Sequence, residues 1–228
     1  MAVPEGQAQS ELQLRQQIVE LGRRLSVSAL IVANEGNISA RLGENRFLIT
    51  PAGLAKGKLA ESDMVIVDSS GNLIAPSNRK PSSELGMHLC VYRLRSDIHA
   101  CVHAHPPYAV ACSVAGVSLV EPVLPEVVAA IGNVALAEYA TPGTNEVAGA
   151  ISRLVGRHSA VILKNHGALT IGPDLETALF RMEMVEHLAQ VVFLAQQLGR
   201  VDTLSQAALR KLTQAIHGTS GLPGQGAP

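Results

Sequence analysis

Two histidines stand two residues apart in CVHAHPPY, residues 101–108, inside an apolar run that Pro106 and Pro107 end. In an extended strand, residues i and i+2 project to the same face. His103 and His105 therefore leave such a strand in one direction, close enough to hold one ion between them. A third histidine, His166, lies in VILKNHGALTIG, a second apolar segment broken at a glycine, and Glu84 lies upstream in RKPSSELGMH. Three imidazoles with at most one carboxylate suit zinc or a similar divalent metal, with a position left open for substrate. A lone His-x-His pair is more often an ordinary pair of strand histidines, so the metal reading rests on its company in the chain. The remaining histidines (His88, His99, His158, His187 and His217) show no such spacing.

A second kind of chemistry is suggested by three clusters of small and polar residues: Asn34-Glu35-Gly36-Asn37, Thr50-Pro51-Ala52-Gly53 and Pro81-Ser82-Ser83. Each joins regular elements and offers backbone N–H groups beside small side chains or hydroxyls, which is the equipment of a phosphate-binding nest. None is a Walker A loop or a GxGxxG turn, and any one alone reads as an ordinary turn. Arg79-Lys80 reads as a solvated turn that could add positive charge near such an anion.

These groups need a scaffold, and the chain has the length to build one. Its 228 residues predict a single domain over 10–217, with a disordered lead at 1–9 and a flexible tail at 218–228. The formal net charge of −1 gives no nucleic-acid-binding surface, and the scarcity of aromatics leaves few platforms on which bases could stack. Cys90, Cys101 and Cys112 are an odd set in apolar segments, which fits a reduced, cytoplasmic setting better than a disulfide framework. Cys101 is read as core, facing away from His103. No signal-peptide pattern opens the chain, and no apolar stretch is long enough to cross a bilayer.

Periodicity predicts a first helix from Ser10 to about residue 32, with Leu12, Ile18, Leu21, Leu25 and Ala29 inward. Two hairpins follow, pairing 38–42 with 46–50 and 64–68 with 72–75. Ser82 is expected to open a helix to about Leu94, with free amides at its start. The His-x-His strand spans 98–104. Helices are expected at 106–115, 127–131, 144–155, from Asp174 to near Gly199, and from about Leu204 to Ile216. Strands are expected at 134–140, 160–163 and 168–171. Hairpins early and alternating elements later predict an α/β protein: a mixed, largely antiparallel sheet with helices packed on it.

Six pieces occur in one order: EGNIS at 35–39, ITPAG at 49–53, KPSSE at 80–84, HAH at 103–105, YATPGT at 139–144 and NHG at 165–167. In these the chain resembles the class II aldolase/adducin family, in particular its L-fuculose-1-phosphate aldolase branch, over roughly residues 10–200. The resemblance implies a three-layer α/β/α sandwich around a mostly antiparallel sheet, and a homotetramer with active sites between subunits. It implies that His103, His105 and His166 bind the metal (zinc, with manganese or cobalt as alternatives), and that Glu84 ligates the resting metal and then acts as base. Gly36, Asn37, Gly53, Ser82 and Ser83 match the phosphate-binding positions.

The chemistry so implied is cleavage of a small (deoxy)ketose 1-phosphate, such as L-fuculose 1-phosphate or a 5-deoxy or 5-methylthio pentulose 1-phosphate, to dihydroxyacetone phosphate and an aldehyde. The metal would stabilise the enediolate left when C3–C4 breaks. Two departures stand out. Glu126, in LPEVVAA, occupies the place of a tyrosine that a neighbouring subunit supplies in the aldolase branch. Ala52 replaces a hydroxyl residue in the cradle. An acid at position 126 is also found in relatives that dehydrate or epimerise sugar phosphates. An epimerase, dehydratase or decarboxylase on the same metal is therefore the alternative, and a non-catalytic adducin-like assembly module is a further one.

Overall fold

A computed structural model describes residues 9–218. The expected lead and tail, residues 1–9 and 218–228, fall outside the described residues except at residues 9 and 218. Seven strands form one sheet: β1 (Asn37–Gly43), β2 (Arg46–Ile49), β3 (Val65–Val67), β4 (Ala100–Ala104), β5 (Ala135–Ala137), β6 (Ala160–Leu163) and β7 (Gly167–Gly172). Their order is β3-β2-β1-β4-β7-β6-β5, so the His-x-His strand is central. Every pairing is antiparallel except β5 with β6.

Among the described residues seven α-helices accompany the sheet: α1 (Glu11–Val27), α2 (Leu85–Leu94), α3 (Pro107–Ala115), α4 (Pro125–Ile131), α5 (Asn145–Ser152), α6 (Leu175–Gln197) and α7 (Gln206–Gly218). Two aliphatic cores lie on opposite faces. One joins residues of α1, α3, α4 and α6 to Ile38, Ala100, Val102, Ala104 and Ala168, and the other joins α2 and α5 to Ile49, Cys101, Leu169 and Ile171. The α/β/α sandwich expected above is the architecture found. No helix among the described residues is long and apolar enough to cross a membrane.

Local chemistry sets the element ends, and here several expectations are corrected. α1 begins as expected, Ser10 and Gln13 forming a reciprocal cap. It stops at Val27, not near 32, because Ala29 takes a left-handed conformation (φ 56°) that sends Leu30 and Ile31 into the core. Leu12 is exposed and Leu14 buried in its stead. α2 starts at Leu85, because Ser82 Oγ accepts the Glu84 N–H and keeps Ser82–Glu84 as a turn. The second hairpin reduces to β3 with a single bridge, Val67 to Leu73. Cys101 does not face away from His103. Strand alternation puts both on the α2 side, where Cys101 is buried and unoxidised.

One anchor of the central strand comes from far along the chain. Glu186, on α6, accepts hydrogen bonds from the backbone N–H groups of Tyr108 and Ala109 at 2.9 and 3.0 Å. It thereby satisfies the free amides that open α3, directly after His105 and Pro106. Replacing Glu186 by Ala leaves both amides without an acceptor and is expected to destabilise the fold by roughly 1–3 kcal/mol, with Glu186→Gln, which keeps one acceptor, losing less. Urea unfolding of the two variants measures this; equal stability of wild type and Glu186→Ala would contradict it.

Candidate active site

The sheet register assembles the site. His103, near the end of β4, pairs with Asn37 of β1 on one side and Leu169 of β7 on the other. His166 sits in the tight turn from β6 to β7, where Asn165 is left-handed (φ 57°) and His166 N–H donates to Leu163 O. His105 continues the direction of His103 beyond the strand. The three rings stand 4.8–4.9 Å apart centre to centre. One ligand atom from each lies within 4.8 Å of the others, a spacing suited to one shared ion. Gly167 makes this closeness possible. A Cβ there would meet Ala104 O at 2.5 Å, His105 Cδ2 at 2.8 Å and His103 Cε1 at 3.0 Å.

Second contacts turn the rings inward. His103 Nδ1 lies 2.9 Å from Ala168 O, which only accepts, so Nδ1 carries the proton and Nε2 points into the cluster. His105 Nδ1 faces Glu35 Oε2 at 3.4 Å, leaving its Nε2 3.1 Å from His103 Nε2. Glu84 closes the group: Oε2 is 3.1 Å from His103 Nε2 and Oε1 is 3.5 Å from His166 Nε2. Oε1 is buried with no hydrogen-bond partner. Convergent imidazole nitrogens beside an orphaned carboxylate oxygen are the donor set a divalent cation satisfies. The residues present therefore fit the metal that the sequence suggests.

Burial pushes the Glu84 carboxyl up, but His103's charge and hydrogen bond, the Asn37 amide and His166's charge together hold it well below the usual carboxylate range. Burial, then the proximity of His103, lowers His166 to about 4. The same two causes lower His105.

Behind Glu84 runs a chain of hydrogen bonds with a forced direction. Asn37 Nδ2 donates to Glu84 Oε2 at 2.9 Å, which turns Asn37 Oδ1 toward His88 Nε2. That nitrogen must carry a proton, so Nδ1 accepts from Ser39 Oγ at 2.6 Å, and Ser39 in turn accepts from the Tyr92 hydroxyl at 2.7 Å. His88 is fully buried, and burial lowers its pKa to about 3. It carried no site signal in the sequence beyond its place four residues after Glu84.

The three small-residue clusters meet beside this carboxylate. Ser82 N–H donates to Thr50 O, and Ala52 N–H donates to Lys80 O, zipping two of the loops together. A pocket of about 360 Å³ is lined by Asn34–Asn37, Pro51–Gly53, Lys56, Ser82–Glu84, His105, Pro142, Gly143 and His166. Gly36, Asn37, Gly53, Ser82 and Ser83 are thus all brought to the pocket wall that also holds Glu84, His105 and His166. Glu126 is not; it is exposed in the first turn of α4. Arg79 turns away to an ion pair with Asp63 at 2.9 Å. Sequence reasoning missed Glu35 as a partner of His105, and it missed Lys56, which arrives from a short 3-10 turn (Lys56–Lys58) after the second cluster.

Fold and site together define a class of protein, and comparison with known proteins agrees. The model of the class II aldolase and adducin N-terminal domain matches residues 16–193. The chain is 34% identical to the 5-deoxy-D-ribulose 1-phosphate aldolase of Bacillus thuringiensis serovar kurstaki over 206 residues, covering 90% of this chain and 95% of that one. It is 32% identical to the 3-oxo-tetronate 4-phosphate decarboxylase of Haemophilus influenzae over 191 residues, covering 82% and 90%. Its fold matches that of an L-fuculose 1-phosphate aldolase with a TM-score of 0.81 at 31% identity, covering 93% and 100%. The chain belongs to the class II aldolase and adducin family. Within that family it stands with the L-fuculose-phosphate aldolase branch.

Two outcomes are expected from this geometry. Gly167→Ala should cost roughly 1–3 kcal/mol of stability through overpacking and weaken divalent-metal binding, read by unfolding and by metal titration; unchanged metal affinity would remove the steric argument. For His88, the folded pKa (about 3) lies below the unfolded 6.5, so the unfolded chain binds the extra proton. Stability should therefore be unaffected by this group above pH 6.5 and should fall as pH drops from 6.5 toward 3. In His88→Gln the loss over that window should be shallower, and a slope equal to wild type would count against the buried neutral ring.

Proposed function

We propose that this protein is a divalent-metal-dependent aldolase that cleaves a small (deoxy)ketose 1-phosphate to dihydroxyacetone phosphate and an aldehyde. L-fuculose 1-phosphate and 5-deoxy or 5-methylthio pentulose 1-phosphates are the leading substrates. The observation that carries the reading is the orphaned Glu84 Oε1 among three convergent imidazoles, in one pocket with the small-residue loops. His103, His105 and His166, with Glu84 in the resting site, would hold one ion, zinc before manganese or cobalt. When bound, it supplies Lewis-acid polarisation of the substrate carbonyl.

The chain's own residues do the rest. Gly36, Asn37, Gly53, Ser82 and Ser83 hold the phosphate and so fix which carbon–carbon bond lies beside the carboxylate. Asn37 serves both ends, since its amide also orients Glu84. In cleavage, Glu126 of a neighbouring subunit would take the C4 hydroxyl proton as C3–C4 breaks and return it to solvent, and Glu84, displaced from its resting position by the bound sugar and protonated from solvent, would give that proton to C3. We place this chemistry in a single domain over 10–217, assembled as a cytoplasmic homotetramer whose subunit interfaces bring Glu126 to the pocket.

A second reading has its own support. The carboxylate at 126 and the likeness to a protein named as a 3-oxo-tetronate 4-phosphate decarboxylase favour a decarboxylase, epimerase or dehydratase using the same site. Metal analysis joined to a product assay separates the two. Protein purified without chelator should carry about one zinc per chain. It should release dihydroxyacetone phosphate from a ketose 1-phosphate panel, detected with a coupled reductase. Glu84→Gln should lower kcat by at least about 10²-fold while metal stays bound through the histidines. Bound metal with no dihydroxyacetone phosphate from any member of the panel would move the function to the second reading.

A further inference from the structure

The pocket that holds the small-residue loops is poorly matched in charge to the anion proposed for it. Its lining brings two carboxylates, Glu35 and Glu84, and the other loop residues in it are neutral apart from Lys56. Arg79, the cation that the sequence placed nearby, is tied to Asp63. The one lysine or arginine in the lining is Lys56.

Lys56 is an unusual lysine. The residue is only 2% exposed. Its Nζ donates to Asn34 O and to Leu54 O, both at 2.8 Å, and so bridges the loop that carries Gly36 and Asn37 to the loop that carries Gly53. Both acceptors are neutral carbonyls, and no carboxylate among the described residues forms an ion pair with this ammonium. An ammonium has three N–H donors, and the protein engages two of them. Burial pushes Lys56 down to about 8, with the charge of Glu84 opposing that shift. A buried cation without a countercharge is costly.

The position is fixed without help from a ligand. Lys56 O packs so closely on α1 that a Cβ at Gly22 would lie 2.4 Å from it, and Ser26 packs against Gly57 in the same way. The charge is therefore held in place before any anion arrives, which lowers the ordering cost of binding one.

We propose that Lys56 is the countercharge of the phosphate site: its ammonium, held between the 34–37 and 51–54 loops, pairs with the phosphate dianion of the substrate. This assignment rests on the reading of the pocket as a sugar-phosphate site. It adds to the five loop residues a charged group that they lack.

The test uses the full chain loaded with metal, and inorganic phosphate as the probe, measured by calorimetric titration. Wild type should bind phosphate. Lys56→Gln, which keeps a donor and loses the charge, should bind it about tenfold or more weakly, and Lys56→Arg should recover most of that loss. With a turned-over ketose phosphate, KM should rise by the same factor while kcat stays within about threefold, the signature of lost uniform binding. A residue that only pinned the loops would not be rescued by charge in this way. Phosphate affinity in Lys56→Gln equal to wild type overturns the assignment and leaves the site reading intact. Absence of phosphate binding by metal-loaded wild type overturns both. Should the variants fail to fold, the Lys56 ammonium can be titrated in wild type by following its Cε resonance. Saturating phosphate should raise its pKa, and an unmoved pKa refutes the pairing.

Discussion

The buried charge of Glu84 is the constraint around which the site is built. Its side chain is only 10% exposed, and a carboxylate so placed must be answered by donors or by a cation. One oxygen is answered by the Asn37 amide and faces His103 Nε2 at 3.1 Å; the other has no donor. The histidines cannot fully neutralise it, because burial holds His105 and His166 toward their uncharged forms. Lone pairs from several directions then converge on one small volume, and that is the electrostatic definition of a cation site.

Keeping these groups together takes backbone from distant parts of the chain. His103 comes from the central strand and His105 from just past its end, His166 from the turn into the neighbouring strand β7, and the carboxylate from the turn before α2. Antiparallel register is what makes their separation definite, since a one-residue slip in β4 would send both histidines to the opposite face. The tie from Glu186 to the start of α3 and the bond from Thr170 Oγ1 to Ala178 O lock the strands to α6. The buried chain from Tyr92 through Ser39, His88 and Asn37 fixes the Glu84 side chain from behind. Because each member has only one consistent donor direction, the chain holds the carboxylate in one orientation.

Relatives named for aldol cleavage and for decarboxylation resemble this chain to a similar degree. Physical chemistry accounts for that kinship. Both reactions leave an electron pair on a carbon next to a carbonyl, and both gain from the same polarising cation and from an anchored phosphate. The shared apparatus is the part carried by the sheet and its loops. Under the proposed function, the choice between the two reactions falls to residues at the far end of the substrate, and Glu126, the candidate there, stands on an exposed helix start.

The sequence by itself determined the short-range features. The period-2 spacing of His103 and His105, the small-residue clusters, the hairpin at 38–50 and the cap at Ser10 are local, and six motifs in order were enough to read the family, the sandwich and the histidine set. Tertiary structure decided whatever depends on contacts between distant segments. The end of α1 turns on a left-handed Ala29, a conformation alanine does not advertise in sequence. The place of Cys101 follows from strand alternation, yet which helix layer covers that face depends on chain crossovers. Glu35, His88, Glu186 and Lys56 acquire their partners only when the sheet brings residues far apart in sequence within hydrogen-bonding reach. A lysine spaced like any surface lysine becomes a buried charge because α1 packs over its backbone and two loops close on its ammonium, and no local pattern records those contacts.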